Sequence, residues 1–216
     1  MHMAAVDWIV FDLGGIVVPQ NADRIMARVA HELGLPAERW AEAMNVYHDA
    51  TTTGKLTLRQ AYGAALHDLS LDVSTDALLS RYLRLYRELC TQHDADAVAL
   101  INRLKARCQV ACLTNTEPEI ACICRETGLF GYFHRAYLSV DLGLKKPDRE
   151  IYEAVLADTG CQPDRMVFVD DREENVAGAR LAGMHALLFA DVSQLERELS
   201  QLCPSALSGT VQSNHE

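Results

Sequence analysis

Val6-Asp7-Trp8-Ile9-Val10-Phe11 runs directly into Asp12-Leu13-Gly14-Gly15-Ile16-Val17, so a carboxylate stands where an apolar strand ends. A strand that opens into a glycine turn brings bare backbone close to a ligand, and a carboxylate at its tip can attack an electrophile or bind a metal. Taken alone, Asp12 also fits a turn former or a helix cap. The rest of the chain decides between these readings.

Three further apolar runs, at 109–113, 166–169 and 185–189, join Trp8–Phe11 as expected strands buried on both faces. Helical periodicity at 117–126, 149–159 and 173–182 separates the later runs, and a weaker strand is expected near 135–139. Strands alternating with helices predict an α/β fold with a Rossmann-like, open parallel sheet. The alternation stops between residues 21 and 93. There apolar residues recur at three- and four-residue spacing through 25–33, 37–46, 58–69 and 75–89. Breaks at Leu33-Gly34-Leu35-Pro36 and Thr51-Thr52-Thr53-Gly54-Lys55 divide this part. The spacing predicts an inserted all-helical cap of the four-helix-bundle type over residues 19–93, with residues 1–18 and 94–202 as the α/β core. Because the insert leaves just after the first strand, it is expected to sit over Asp12. A last helix is expected at 192–202, followed by a polar, disordered tail over 203–216.

The 216 residues include 30 acidic and 20 basic ones, a net charge of −10, and 49% are hydrophobic. That composition supports a substantial core and argues against nucleic acid or an anionic membrane as the main partner. The sequence shows no apolar run of bilayer length and no basic-then-apolar leader, so a cytoplasmic location is expected. Seven cysteines, an odd number set mostly in apolar or helical patterns, predict reduced thiols. Cys122-Ile123-Cys124 has the wrong spacing for a zinc knuckle.

In a parallel sheet, ligands collect at the carboxyl ends of the strands. The residues that follow the apolar runs are Asp12, then Thr114-Asn115, then Asp170-Asp171, with Lys145-Lys146-Pro147 in the loop after the weak strand. Three carboxylates brought together repel one another unless a cation sits among them, and magnesium held by one or two carboxylates plus substrate phosphate suits that need. A lysine and neutral donors beside such an ion suit phosphoryl transfer, which depends on positioning and charge stabilisation. A carboxylate can then act as the nucleophile.

The ordered set Phe11-Asp12-Leu13-Gly14-Gly15, Leu113-Thr114-Asn115, Gly143-Leu144-Lys145-Lys146-Pro147-Asp148 and Val167-Phe168-Val169-Asp170-Asp171-Arg172-Glu173-Glu174-Asn175 resembles the haloacid dehalogenase-like superfamily. Within it, the chain is most similar to the branch holding bacterial glucose-1-phosphate phosphatase and the N-terminal phosphatase domain of soluble epoxide hydrolase. The resemblance implies a magnesium-dependent phosphatase that hydrolyses a small phosphorylated metabolite, such as a sugar phosphate, through an aspartyl-phosphate. It makes Asp12 the nucleophile and, with Asp171 and the carbonyl of Gly14, a magnesium ligand. Asp170 takes an outer-shell role, holding metal-bound water. Thr114 and Asn115 hold the phosphoryl group, while Lys146 neutralises it and orients Asp12. Lys146 is chosen over Lys145 because it directly precedes Pro147, which leaves Lys145 as a solvated surface charge.

Position 14 departs from the family, whose phosphatases mostly carry an aspartate there as proton donor to the leaving alcohol. General acid catalysis contributes about 10²–10⁴ in rate, so its loss favours substrates with a more acidic leaving group. The similar bacterial sugar phosphatase also has a glycine at this place. His48, just before the Thr51–Lys55 turn, either contacts substrate or supplies the missing proton; the alternative is a solvent-facing histidine. Two other functions remain open: a metal-independent dehalogenase-type hydrolase, and a phosphate-ligand-binding module impaired by Gly14.

Overall fold

The computed structural model describes residues 6–202, so the tail expected over 203–216 lies outside the described residues. Five parallel strands form one sheet in the order β3-β2-β1-β4-β5, with β1 at Trp8–Phe11, β2 at Gln109–Thr114, β3 at Arg135–Leu138, β4 at Met166–Asp170 and β5 at His185–Leu188. The chain builds outward from β1 to β3, then returns to lay β4 and β5 on the other side. Strand order therefore reverses at β1, the kind of switch point where open α/β sheets bind ligands.

Successive side chains of β1 enter different cores. Ile9 and Phe11 join Val110, Cys112, Val167 and Val169 on one face; Trp8 and Val10 join Leu113 and Phe168 on the other. That two-sided burial is what apolar runs without polar alternation encode. The expectation of full burial fails at β5. This edge strand is only partly covered, and Leu188 is 38% exposed, because no strand lies beyond it among the described residues.

Between β1 and β2 the chain forms α1 (Ala22–Glu32), α2 (Ala37–Asn45), α3 (His48–Thr52), α4 (Leu58–Asp68), α5 (Thr75–Cys90) and α6 (Ala95–Lys105). The four helices expected before residue 93 are α1, α2, α4 and α5. A fifth, α3, lies where the sequence suggests a turn. Its threonines wind it: the Thr52 hydroxyl donates to the His48 carbonyl at 2.8 Å, and that of Thr53 to Asp49 at 2.6 Å. Thr57 and Gln60 close a reciprocal capping box at the start of α4, and Ser74 caps α5. The buried face of these helices, including Ile25, Trp40, Tyr62 and Leu85, is continuous with the Ile9–Phe11 face of the sheet.

The second face of the sheet is covered by α9 (Arg149–Thr159) and α10 (Glu173–Leu181), after α7 (Pro118–Glu126) and the one-turn α8 (Ser139–Leu142). The last helix, α11, runs Val192–Leu202. No helix among the described residues is long and apolar enough to cross a membrane. The six described cysteines are free thiols, as their apolar settings predict.

One glycine holds two functional segments together. A Cβ at Gly178 of α10 would stand 2.5 Å from the Pro147 carbonyl oxygen and 2.9 Å from the Tyr152 ring, so α10 rests directly on the loop that carries Lys146. Gly178→Ala is expected to cost about 1–3 kcal/mol through overpacking. The readout is a lower melting temperature, and an unchanged value would mean that this close contact is absent in solution.

Candidate active site

The strand register assembles the site. Phe11 pairs with Cys112 on one side and Val169 on the other, so Asp12 emerges beside Asp170, with Thr114 near by at the end of β2. The Asp12 amide also donates to the Val169 carbonyl at 2.8 Å, carrying the pairing one residue past the strand.

Between these carboxylates lies the Lys146 ammonium, 2.8 Å from Asp12 Oδ1 and 2.7 Å from Asp170 Oδ2. Only 2% of the Lys146 side chain is exposed. Burial pulls the Lys146 pKa down, but the charges of Asp12 and Asp170 outweigh it and hold the group above its ordinary value. The Asn115 side chain clamps the Lys146 backbone, its Oδ1 accepting from the amide and its Nδ2 donating to the carbonyl, both at 2.9 Å. Asp170 is fully used as well: its Oδ1 accepts from the Arg172 amide at 3.0 Å and from Asn175 Nδ2 at 2.9 Å. It is therefore a fixed counter-charge that also ties down the start of α10.

Asp171 differs. Its Oδ2 accepts from Gln20 Nε2 at 2.6 Å, while its buried Oδ1 has no partner. Oxygens of Asp12, Asp170 and Asp171 lie within 4.8 Å of one another. Three carboxylates facing one ammonium leave two negative charges unmatched. Burial raises the pKa of Asp12 and of Asp171, and the neighbouring carboxylates push both further up. An unpartnered oxygen in an all-oxygen acidic cluster fits a hard divalent cation such as magnesium, with Asp12 and Asp171 free to hold it.

The two adjacent glycines of the opening motif differ in kind. Gly15 has φ +74°, and a Cβ there would stand 2.3 Å from Asp171 Oδ2. At Gly14 the nearest atom to a Cβ would be Asp12 Oδ2, at an ordinary 3.9 Å. Gly15 is thus required by its backbone and by Asp171, whereas Gly14 leaves room that a side chain would fit.

A cavity of about 660 Å³ opens over Asp12. Asp12, Gly14, Thr114, Asn115, Lys146 and Asp171 line one end, and Asp170 lies behind them. Tyr82, Tyr86 and Cys90 of α5 and Glu117, Ile120 and Cys124 around α7, with Leu129 and Phe130, add to the cavity's wall. The segment between β1 and β2 thus contributes to the wall of this cavity through α1 and α5. His48 is exposed at the start of α3 and does not line this cavity. Burial lowers its pKa, the charge of Asp49 opposes that, and Lys145 and Arg172 add to the lowering.

Lys145 is not the solvated charge expected from the sequence. Its Nζ pairs with Asp49 of α3 at 2.9 Å and its side chain is only 24% exposed, so it links α3 to the Lys146 loop. Two further residues give little sequence signal. Gln20 holds Asp171 across the chain, and its only hint is a polar residue shortly after the opening motif. Glu117 reads in sequence merely as the start of a helix, yet its carboxyl caps nothing in α7 and borders the cavity. Burial pushes it up to about 7, helped by Glu119 and opposed by a backbone hydrogen bond.

Residues 6–183 match the family model of the haloacid dehalogenase-like hydrolases. The chain is 28% identical over 213 residues to D-ribitol-5-phosphate phosphatase of Bacteroides thetaiotaomicron, covering 91% of this chain and 98% of that protein. It is 25% identical over 197 residues to drimenol cyclase of Aspergillus calidoustus, covering 90% of this chain but spanning only 36% of that relative's length. A haloacid dehalogenase-like enzyme from B. thetaiotaomicron, solved with magnesium and inorganic phosphate, shares the fold at a TM-score of 0.68 and 20% identity, over 88% of this chain and 99% of the other. With its core motifs gathered at the switch point of a five-stranded parallel sheet, the chain belongs to the haloacid dehalogenase-like hydrolases.

Proposed function

We propose that this hydrolase is a magnesium-dependent phosphatase that releases phosphate from a small phosphorylated metabolite through an aspartyl-phosphate on Asp12. The observation that carries the reading is the buried Lys146 ammonium held between Asp12 and Asp170, next to the unpartnered Asp171 Oδ1, at one end of a cavity large enough for a metabolite. The names of the phosphatase relative and of the neighbour solved with magnesium and phosphate agree with it.

In this reading Asp12 Oδ2, the oxygen not paired with Lys146, attacks phosphorus. Lys146 keeps Asp12 ionised and oriented and shares in neutralising the phosphoryl oxygens. The Thr114 hydroxyl makes only a long 3.5 Å contact to its neighbour's carbonyl, so it is free to hold a phosphoryl oxygen. Asn115 acts through Lys146, whose backbone it clamps. Asp12, Asp171 and the Gly14 carbonyl would hold magnesium, which supplies charge stabilisation at the phosphoryl group when bound. Residues 19–93 serve as the cap that shapes the leaving-group end. His48, outside the cavity lining, takes no step in this reading.

Three measurements test this. Phosphate release from a panel of phosphorylated metabolites should require magnesium, stop on chelation, and fall at least about 10³-fold in Asp12→Asn. Halide release from a haloacid that survives chelation would instead favour the dehalogenase-type reading.

Magnesium should also raise the melting temperature, by an amount that shrinks from about pH 7 to about pH 5 as protons compete for the raised carboxylates. The sign follows from linkage. A folded-state carboxyl with a raised pKa binds protons more readily than the unfolded chain, so the metal-free protein loses stability as pH rises through that pKa. The metal removes that loss most fully at the higher pH. A shift that grows on acidification would contradict the ligand set.

Gly15→Ala should weaken magnesium binding at least about tenfold, because its Cβ displaces Asp171. Titration of the melting temperature with magnesium reads it. Unaltered affinity would place the metal elsewhere.

A further inference from the structure

We propose that Glu117 is the proton donor to the leaving oxygen, taking the role that Gly14 leaves vacant, and that the substrates therefore include phosphate esters of ordinary alcohols with an apolar body. This rests on the phosphatase reading above and deepens it.

Glu117 lies two residues beyond Asn115, so its Cα is within about 8 Å of that of Asn115. The segment is fixed, not loose: the Thr116 amide donates to Ser139 Oγ at 2.9 Å, and the Ser139 hydroxyl returns a bond to the Thr116 carbonyl at 3.2 Å. Glu117 thus lines the same cavity as Asp12, on a segment that continues directly from Thr114 and Asn115 and is held by Ser139.

The carboxyl forms no salt bridge among the described residues and does not cap its own helix. Tyr82 and Tyr86 of α5 and Cys124 of α7 line the same cavity, and the charge of Glu117 acts on these groups and on Tyr62 of α4, while that of Glu119 acts on Glu117. Each tyrosine hydroxyl is raised first by its own burial, and the negative charge of Glu117 adds to the effect. In such a setting the neutral acid is stabilised, so a proton is available near neutral pH. Among the described residues the one other carboxyl that lines the cavity outside the acidic cluster is Asp23, in the first turn of α1.

The step balances. Asp12 Oδ2 forms a bond to phosphorus while the bond from phosphorus to the ester oxygen breaks, and the Glu117 proton passes to that oxygen to give the free alcohol. The Glu117 carboxylate then takes a proton from the water that attacks phosphorus. The bond to Asp12 breaks, phosphate leaves, and both side chains return to their starting states.

Two esters of nearly equal size separate this role from a structural one: 4-nitrophenyl phosphate, whose leaving group needs no proton, and 4-nitrobenzyl phosphate, whose alkoxide does. Wild-type protein with magnesium should turn over both. In Glu117→Gln, kcat/KM should fall about 10²–10⁴-fold on the benzyl ester and by less than about tenfold on the phenyl ester. Glu117→Asp, one methylene short, should recover part of the benzyl activity and gives the same comparison if the Gln variant fails to fold. Equal losses on the two esters, no loss on either, or a wild type active on the phenyl ester alone would overturn the proposal. A wild type inactive on both esters and across the metabolite panel would overturn the phosphatase reading itself.

Discussion

The site depends on one ammonium buried between two carboxylates. A lysine with 2% of its side chain exposed cannot remain charged without partners, and Lys146 has Asp12 at 2.8 Å and Asp170 at 2.7 Å. The attraction offsets a desolvation penalty of several kcal/mol per ion, and removing one partner would leave a buried charge unmatched. That constraint spreads outward. Asn115 fixes the Lys146 backbone, Asn175 and the Arg172 amide fix Asp170, and Gly178 lets α10 approach the loop that bears the lysine. Much of the polar structure at this end of the sheet serves to hold one triad in place.

The triad is also incomplete. With Asp171 beside it, the cluster keeps an excess of two negative charges and one buried oxygen without a partner. Burial first, and then the neighbouring carboxylates, raise the pKa values of Asp12 and Asp171. A divalent cation would offset that excess and so lower the electrostatic cost of bringing an anionic phosphoryl group beside these carboxylates. In the proposed function, metal binding and substrate binding would therefore be coupled through the same carboxylates.

The core motifs were legible because each sits where a strand ends. Apolar runs without polar alternation mark β1, β2 and β4, and the polar residue after each run lands at the switch point whatever the loops do. An apolar run does not reveal that one side of a strand lacks a neighbour, which is why the edge strand β5 departs from the burial its sequence predicts. Helix α3 was hidden by threonines that look like a turn but bond back to His48 and Asp49. Lys145 was hidden because its partner Asp49 is almost one hundred residues away. Helix α6, capped by Asp94, fell between the cap and core patterns and carried no motif to mark it. Glu117 illustrates the deeper limit: its carboxyl acquires meaning only from Tyr82 and Tyr86, which the helical insert delivers from a distant part of the sequence. The missing side chain at position 14 was plain to read, while what surrounds the gap was not.

The most direct test of the account is to quench the wild-type protein in acid during turnover of a phosphate ester with magnesium and to map the peptides by mass. The account predicts a phosphoryl group on the peptide containing Asp12, absent from Asp12→Asn and from protein quenched before substrate is added. Turnover that leaves Asp12 unmodified, or oxygen from labelled water appearing in the Asp12 carboxyl and not in the released phosphate, would contradict it.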